Sequence, residues 1–174
     1  MVIWITGISG SGKSTLGKYF FKKFKKKYPR TIFFDGDEFR KIFNNDIKYT
    51  LKDRDINAVR LTSLVKYMSN QNVNIVISAN ITSQKFRKWC KKNIKNYFEI
   101  FIDTPMEILR KRDYKKLYSK AFSGKIKNVV GVDLLFKKPK NSDLNINNSF
   151  SKKKLYSNYK LILKKFNNKK IKIF

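Results

Sequence analysis

The sequence predicts an α/β protein, a parallel five-stranded sheet with helices on both faces. Two observations carry this. Short apolar runs alternate along the chain with longer segments of helical spacing. The first run, Val2-Ile3-Trp4-Ile5, feeds directly into a glycine-rich turn, Gly7-Ile8-Ser9-Gly10-Ser11-Gly12-Lys13-Ser14, that opens a helix. The length of 174 residues suits one core, so a single domain over 1–174 is expected.

The elements follow in order. Val2 to Thr6 reads as a buried strand, and Lys13 to Lys26 as a helix with Leu16, Tyr19, Phe20 and Phe24 on one face. Thr31 to Phe34 forms a second strand that ends at Asp35. Asp53 to Ser69 is helical, with Ile56, Leu61, Leu64, Val65 and Met68 at the right spacing. Val73 to Ser78 and Phe98 to Ile102 are the third and fourth strands, each followed by a helix, Ser83 to Asn93 and Pro105 to Arg112. Leu155, Tyr159, Ile162, Leu163 and Phe166 mark a C-terminal helix, and Ile171 to Phe174 reads as a short strand or a tail. The basic stretch from about 113 to 142 lacks periodicity and reads as a mobile lid.

The glycine-rich turn is a complete Walker A phosphate loop. Gly7, Gly10 and Gly12 lack a Cβ, so the backbone can curl and aim N–H groups at an anion. The helix that follows adds its positive end. Lys13 can reach the β- and γ-phosphates, and Ser14 can ligate Mg²⁺. Ser9, Ser11 and Thr15 complete the expected ATP contacts.

Composition narrows the chemistry. The chain has no histidine, which excludes histidine triads, histidine-ligated metals and histidine proton shuttles. The lone Cys90 fits a reducing cytoplasm, and no apolar run is long enough to cross a membrane. No basic leader precedes the first strand. The net charge of +29 reads as a lysine-rich composition over solvated helix faces rather than a nucleic-acid site, because no base-stacking motif accompanies it.

A second constellation lies on the rim where the strands end, with Ala79-Asn80 and Asp103 nearby. Asp35-Gly36-Asp37 closes the second strand, and Glu38 and Arg40 follow. Asp53, Arg54, Asn57 and Arg60 start the next helix. A carboxylate beside the phosphate loop could orient or deprotonate an attacking hydroxyl, and arginines could hold an anionic acceptor.

With these motifs the sequence resembles the adenylylsulfate (APS) kinase family from Ile5 to about Leu144. The matches are the Walker loop, Asp35-Gly36-Asp37-Glu38-Phe39-Arg40, Asp53-Arg54-x-x-Asn57-x-x-Arg60 and Phe101-Ile102-Asp103-Thr104-Pro105. They continue through Arg112-Asp113, Leu117-Tyr118 and the run from Gly124 through Ile126-Lys127 to Gly131 and Asp133. The resemblance implies a P-loop kinase fold and transfer of the ATP γ-phosphoryl to the ribose 3′-hydroxyl of a nucleotide. It implies that Asp37 orients the hydroxyl, Lys13 stabilises the transferring group and Ser14 holds Mg²⁺. Arg112 joins the ATP side. Arg40, Tyr49, Arg54, Asn57, Asn80, Ile81, Lys127 and Val129 line the acceptor side. Members of the family often pair as dimers.

The departures cluster at the acceptor. The family holds its acceptor adenine between two phenylalanines. Here Tyr49 stands in one place and Val129 in the other. The family's Ser-Phe-Ile-Ser-Pro-x-Arg reads Ala79-Asn80-Ile81-Thr82-Ser83-Gln84-Lys85, and the Asn of its Asp-Gly-Asp-Asn motif is Glu38. A relative in the family phosphorylates cytidine diphosphoramidate for capsule decoration, and a smaller pyrimidine would need less stacking. That acceptor is favoured. The alternatives are an APS kinase, a small-molecule kinase of the shikimate or gluconate type, and a basic nucleic-acid-binding NTPase.

Overall fold

The computed structural model describes residues 1–149 and 151–174. Five parallel strands form one sheet in the order β2-β3-β1-β4-β5: β1 Val2–Thr6, β2 Thr31–Asp35, β3 Asn74–Ser78, β4 Tyr97–Asp103 and β5 Leu144–Asn147. The central strand β1 pairs with β3 through Val2↔Ile75 and with β4 through Val2↔Tyr97. It is buried along its whole length, which is why its sequence is a continuous apolar run rather than an alternating one.

Strand alternation splits the interior into two cores. Ile3, Ile5, Ile100 and Ile102 face α1 (Lys13–Lys27) and α7 (Lys152–Asn168), which contribute Leu16, Phe20, Phe24, Leu155, Ile162 and Phe166. Val2, Trp4, Ile75 and Ile77 face α3 (Leu51–Ser69) and α4 (Gln84–Asn93), which contribute Leu61, Val65 and Cys90. Each fully buried large side chain in such a core contributes about 1.5–3 kcal/mol relative to exposure. The Trp4 indole N–H is satisfied by the Ala79 carbonyl at 2.9 Å. Buried Glu99 is held by both nitrogens of the Arg87 fork at 2.7 Å.

The structure departs from the sequence reading in three ways. First, the fifth strand is Leu144–Asn147, which the sequence reading did not mark; of the two readings of Ile171 to Phe174, the tail holds. β5 is an edge strand whose only inward residues are Leu144 and Ile146, too short an alternation to stand out. The tail instead crosses the starts of the strands. Lys172 N–H donates to Asn96 Oδ1 at 3.2 Å and Phe174 N–H to Asn74 Oδ1 at 3.0 Å.

Secondly, α3 starts at Leu51. Thr50 and Asp53 form a reciprocal capping box, so Asp53 sits inside the first turn. Thirdly, two short helices were not anticipated: α2 (Gly36–Ile42) directly after β2, and α6 (Leu117–Phe122) inside the 113–142 stretch. α5 (Met106–Arg112) precedes that stretch. A third small core of Ile8, Leu109, Tyr118, Val129 and Val130 packs it onto the phosphate loop.

Candidate active site

The phosphate loop leaves the carboxyl end of the middle strand. Gly7, Gly10 and Gly12 all take positive φ, at 148°, 74° and 99°. A Cβ on Gly7 would stand 2.6 Å from the Ile102 carbonyl oxygen, and one on Gly12 would stand 2.6 Å from Asn148 Nδ2. Both positions therefore exclude side chains by contact as well as by backbone angle.

Four successive loop carbonyls are held by side chains. Lys13 Nζ donates to Ile8 O at 2.9 Å, and Tyr118 OH to Ser9 O at 2.7 Å. Arg112 Nη1 donates to Gly10 O at 3.5 Å, and Asn148 Nδ2 to Ser11 O at 2.7 Å. Within the loop the Ser11 N–H donates to Ile8 O at 3.2 Å, and the side-chain partners of the other carbonyls spare the remaining amides that role, so they can face an anion. Burial pushes the Tyr118 phenol up to about 12, so it remains a protonated donor at neutral pH. Thr15 lies one residue further into α1 and is half-buried.

Asn148 was missed by sequence reasoning. It is 5% exposed and clamps both sides of the loop, since its own carbonyl accepts from Arg112 Nη2 at 2.9 Å. It lies in the Asn-rich run Asn145, Asn147, Asn148, and no chemical motif singles it out. Its value comes only from β5 ending beside β4, where its N–H donates to Asp103 O at 2.8 Å.

Lys13 follows the loop. Part of its side chain reaches solvent, but its ammonium is enclosed. Desolvation pulls its pKa down to about 8, against the opposing pull of Asp37 and Asp35. Ser14 Oγ donates to Asp35 Oδ2 at 2.5 Å, and Asp35 Oδ1 caps α2 by accepting from Asp37 N–H at 3.0 Å. Ser14 and Asp35 thus offer two adjacent oxygens beside Lys13. Mg²⁺ commonly takes one or two protein oxygens, with phosphate and water completing its octahedron, so this pair fits the ion. Among the described residues no group of three or more His, Cys, Asp or Glu could hold a metal. The Asp37 carboxylate projects from the first turn of α2 and is exposed, 3.8 Å from Lys115 Nζ.

The acceptor-side residues fall into two groups. Arg40, Tyr49 and Arg54 come together. The Arg40 guanidinium lies 4.7 Å and that of Arg54 5.5 Å from the Tyr49 ring centre. Arg40 is buried and donates to Lys48 O at 3.0 Å. Arg54 donates to Tyr49 O at 2.9 Å and to Asn128 O at 2.8 Å, which brings the 128–129 segment beside Tyr49. Its pKa is lowered by burial and by the neighbouring Arg40 cation, so a bound anion would relieve the repulsion between the two. Asn57 Oδ1 is buried with no hydrogen-bond partner.

The second group is less directly placed. Asn80 lies at the rim, with a long 3.5 Å contact to Thr6 Oγ1. Ile81 is 4% exposed and packs in the α3/α4 core, so its side chain belongs to the interior. Val129 is 6% exposed and packs in the small core under α6. Lys127 is exposed. Two further cations on this rim are already engaged: Arg60 grips Asp46 with both nitrogens, at 2.8 and 2.7 Å, and Lys85 pairs with Asp55 at 3.4 Å.

A phosphate loop leaving the middle of a 2-3-1-4-5 parallel sheet, with a carboxylate and paired arginines across the rim, defines a P-loop phosphotransferase. The chain belongs to the adenylylsulphate kinase family, whose profile matches residues 1–147. It is 38% identical to the cytidine diphosphoramidate kinase of Campylobacter jejuni over 164 residues, covering 94% of this chain and 95% of that one. It is 34% identical to the adenylyl-sulfate kinase of Buchnera aphidicola from Acyrthosiphon pisum, covering 83% and 71%. Its fold matches the Mycobacterium tuberculosis APS kinase solved with AMPPNP and APS, with a TM-score of 0.84, 28% identity and coverage of 95% and 96%. The chain is thus an enzyme of the phosphotransferase class, and no described helix is long and apolar enough to cross a membrane.

Proposed function

We propose that this protein is a Mg-ATP-dependent kinase of a nucleotide 3′-hydroxyl, with cytidine diphosphoramidate as its favoured acceptor. The observation that carries the acceptor is the contrast between the two halves of the site. The ATP side keeps every Walker position, with each carbonyl from Ile8 to Ser11 held. The acceptor side has one exposed ring, Tyr49, and an aliphatic, buried residue at Val129. The end-to-end likeness to the Campylobacter enzyme supports the same acceptor. The second reading is an APS kinase, favoured by the retained Arg40, Arg54 and Asn57 and by the fold match to the APS-bound enzyme.

In this reading the amides of Gly7 to Ser14 cradle the β-phosphate, and Lys13 holds charge on the γ-phosphoryl group. Bound at Ser14 and Asp35, Mg²⁺ would neutralise phosphate oxygens. Arg40 and Arg54 hold the acceptor's anionic group, while Asn57 presents its unpaired carbonyl to a donor. Asp37 orients the 3′-hydroxyl and receives its proton as the oxygen attacks phosphorus and the bond to ADP breaks. Positioning and charge stabilisation supply the catalysis, so the lack of histidine is no obstacle. The 113–142 segment, tied to the loop by Tyr118, serves as the lid. The protein works in the cytoplasm as one domain, as a monomer or a homodimer.

The test is a panel assay of ATP with APS, CDP and cytidine diphosphoramidate, run on the native protein and on Val129→Phe. The native protein should show the highest kcat/KM on cytidine diphosphoramidate. The added ring should shift the ratio toward APS by about 1–3 kcal/mol, the worth of one base stack. Overpacking of the small core should cost about 1–3 kcal/mol of stability, read in the melting curve. A native preference for APS overturns the acceptor assignment in favour of the second reading.

Two further outcomes are expected. Tyr118→Phe removes one donor from the loop while water can reach Ser9 O, so the cost is one neutral hydrogen bond of about 0.5–1.5 kcal/mol. KM for ATP should rise about two- to tenfold with kcat little changed. A fall in kcat at constant KM would reassign Tyr118 to the chemical step.

The second outcome is proton uptake on ATP binding. A bound triphosphate restores Lys13 toward its ordinary pKa of 10.5 from about 8. ATP affinity should therefore weaken as pH rises above about 8, approaching tenfold per unit. Calorimetry in two buffers of different ionisation enthalpy should show extra uptake near one proton at about pH 9, absent in Lys13→Met. For the apoprotein the linkage runs the other way. The unfolded chain binds the extra proton between about 8 and 10.5, so folding stability gains as pH rises through that window.

A further inference from the structure

The charge is not evenly spread. α1 and α7 pack side by side on one face of the sheet, and neither helix contains an acidic residue. Lys22, Lys23 and Lys26 on α1, with Lys160, Lys164 and Lys165 on α7, are all exposed. The protein's 12 acids lie outside these two helices, and several meet other cations: Asp46 with Arg60, Asp55 with Lys85, Glu99 with Arg87 and Lys91, Asp103 with Lys138, while Asp143 reaches Lys169 at the C-cap of α7. A face of like charges raises the energy of the folded state unless counter-charge arrives from outside.

The face also carries stacked rings. Tyr19 of α1 and Tyr156 of α7 stack with centres 4.1 Å apart and planes 14° apart. Lys23 Nζ lies 5.6 Å from the Tyr19 ring centre. Beside them is a hollow of about 320 Å³ lined by Tyr19, Lys22, Lys23 and Lys26. Lys22 is nine residues along α1 from Lys13, about 14 Å at the helical rise, so the active site stays open.

We propose that the outer face of α1 and α7 is a docking surface for single-stranded nucleic acid. Lysine ammonium groups are point charges that bind phosphates without a preferred base, which fits a flexible polyphosphate strand. Tyr156 and Lys23 lie over the Tyr19 ring, so its free edge beside the hollow offers a base an edge-to-face contact. An anionic membrane fits less well. Leu161 is the only large apolar side chain of the two helices that is substantially exposed, at 40%, so the face lacks an apolar wedge for the acyl boundary.

The test uses the full protein and a fluorescent 20-mer oligouridylate, with Kd followed by anisotropy across about 50–200 mM salt. Two triple variants are compared. One is Lys22→Gln, Lys23→Gln, Lys26→Gln. The other removes the same charge from the opposite side of the sheet: Lys88→Gln, Lys92→Gln, Lys95→Gln. Three lost phosphate contacts should flatten the salt slope by about two in the first variant. Its Kd at the lowest salt should rise at least about tenfold, and the control's less than about threefold. Kinase activity should be unchanged in both, and neither variant should melt below the native protein, since loss of like charges relieves repulsion.

Equal weakening in both variants would make the binding a property of net charge and overturn the proposal. So would absence of binding, or displacement of the oligonucleotide by vesicles of 30% phosphatidylserine in phosphatidylcholine. None of these outcomes bears on the kinase assignment, which the activity assay reads separately.

Discussion

Lys13→Ala should lower turnover at least about a hundredfold, equivalent to about 2.7 kcal/mol of transition-state stabilisation. The ammonium is fixed at the loop by its 2.9 Å bond to Ile8 O, and its cost of desolvation is already met in the fold. It therefore needs little reorganisation when charge moves onto the transferring oxygens. Steady-state kinetics with ATP and the best acceptor of the panel would check this. Folding should survive, because relief of a desolvated cation offsets the lost bond to Ile8. Near-native turnover in a folded variant would contradict the role assigned to the loop.

Asp37→Asn should cut kcat by about 10²–10⁴ while leaving the Kd for ATP within about threefold, as for loss of a positioned acid–base group. The carboxylate is exposed on the first turn of α2, whereas the Asp35 side chain turns toward Ser14 and the loop. In the proposed mechanism the two acids of one tripeptide therefore divide into a metal-side and an acceptor-side group. A variant impaired mainly in ATP binding would move Asp37 to the metal. A matched Asp35→Asn should show the reverse pattern, with a higher Mg²⁺ concentration needed for half-maximal rate.

The phosphate-loop geometry was legible in the sequence because its requirements are local. A loop needing positive φ at three positions must spell glycine there, and the lysine and serine follow at fixed spacing. The strand–helix alternation was legible for the same reason, since the buried central strands are continuous apolar runs. What depends on distant contacts was not legible. Asn148 became visible only once β5 was placed against β4. β5 itself is a four-residue edge strand with two inward side chains. Ile81 and Val129 could be aligned with acceptor positions, but their burial in two different cores could not be read from spacing. The one-sided distribution of acids likewise emerges only when α1 and α7 are seen to share a face.

The most direct test of the kinase assignment is the position of the new phosphate. Cytidine diphosphoramidate and ATP should be incubated with the protein and the product examined by ³¹P and ¹H NMR. A new phosphomonoester coupled to the ribose 3′ proton, formed in equal amount with ADP, is the predicted result. Phosphate at the 2′ or 5′ side, or ADP formed with no phosphorylated nucleotide for any acceptor in the panel, would contradict it.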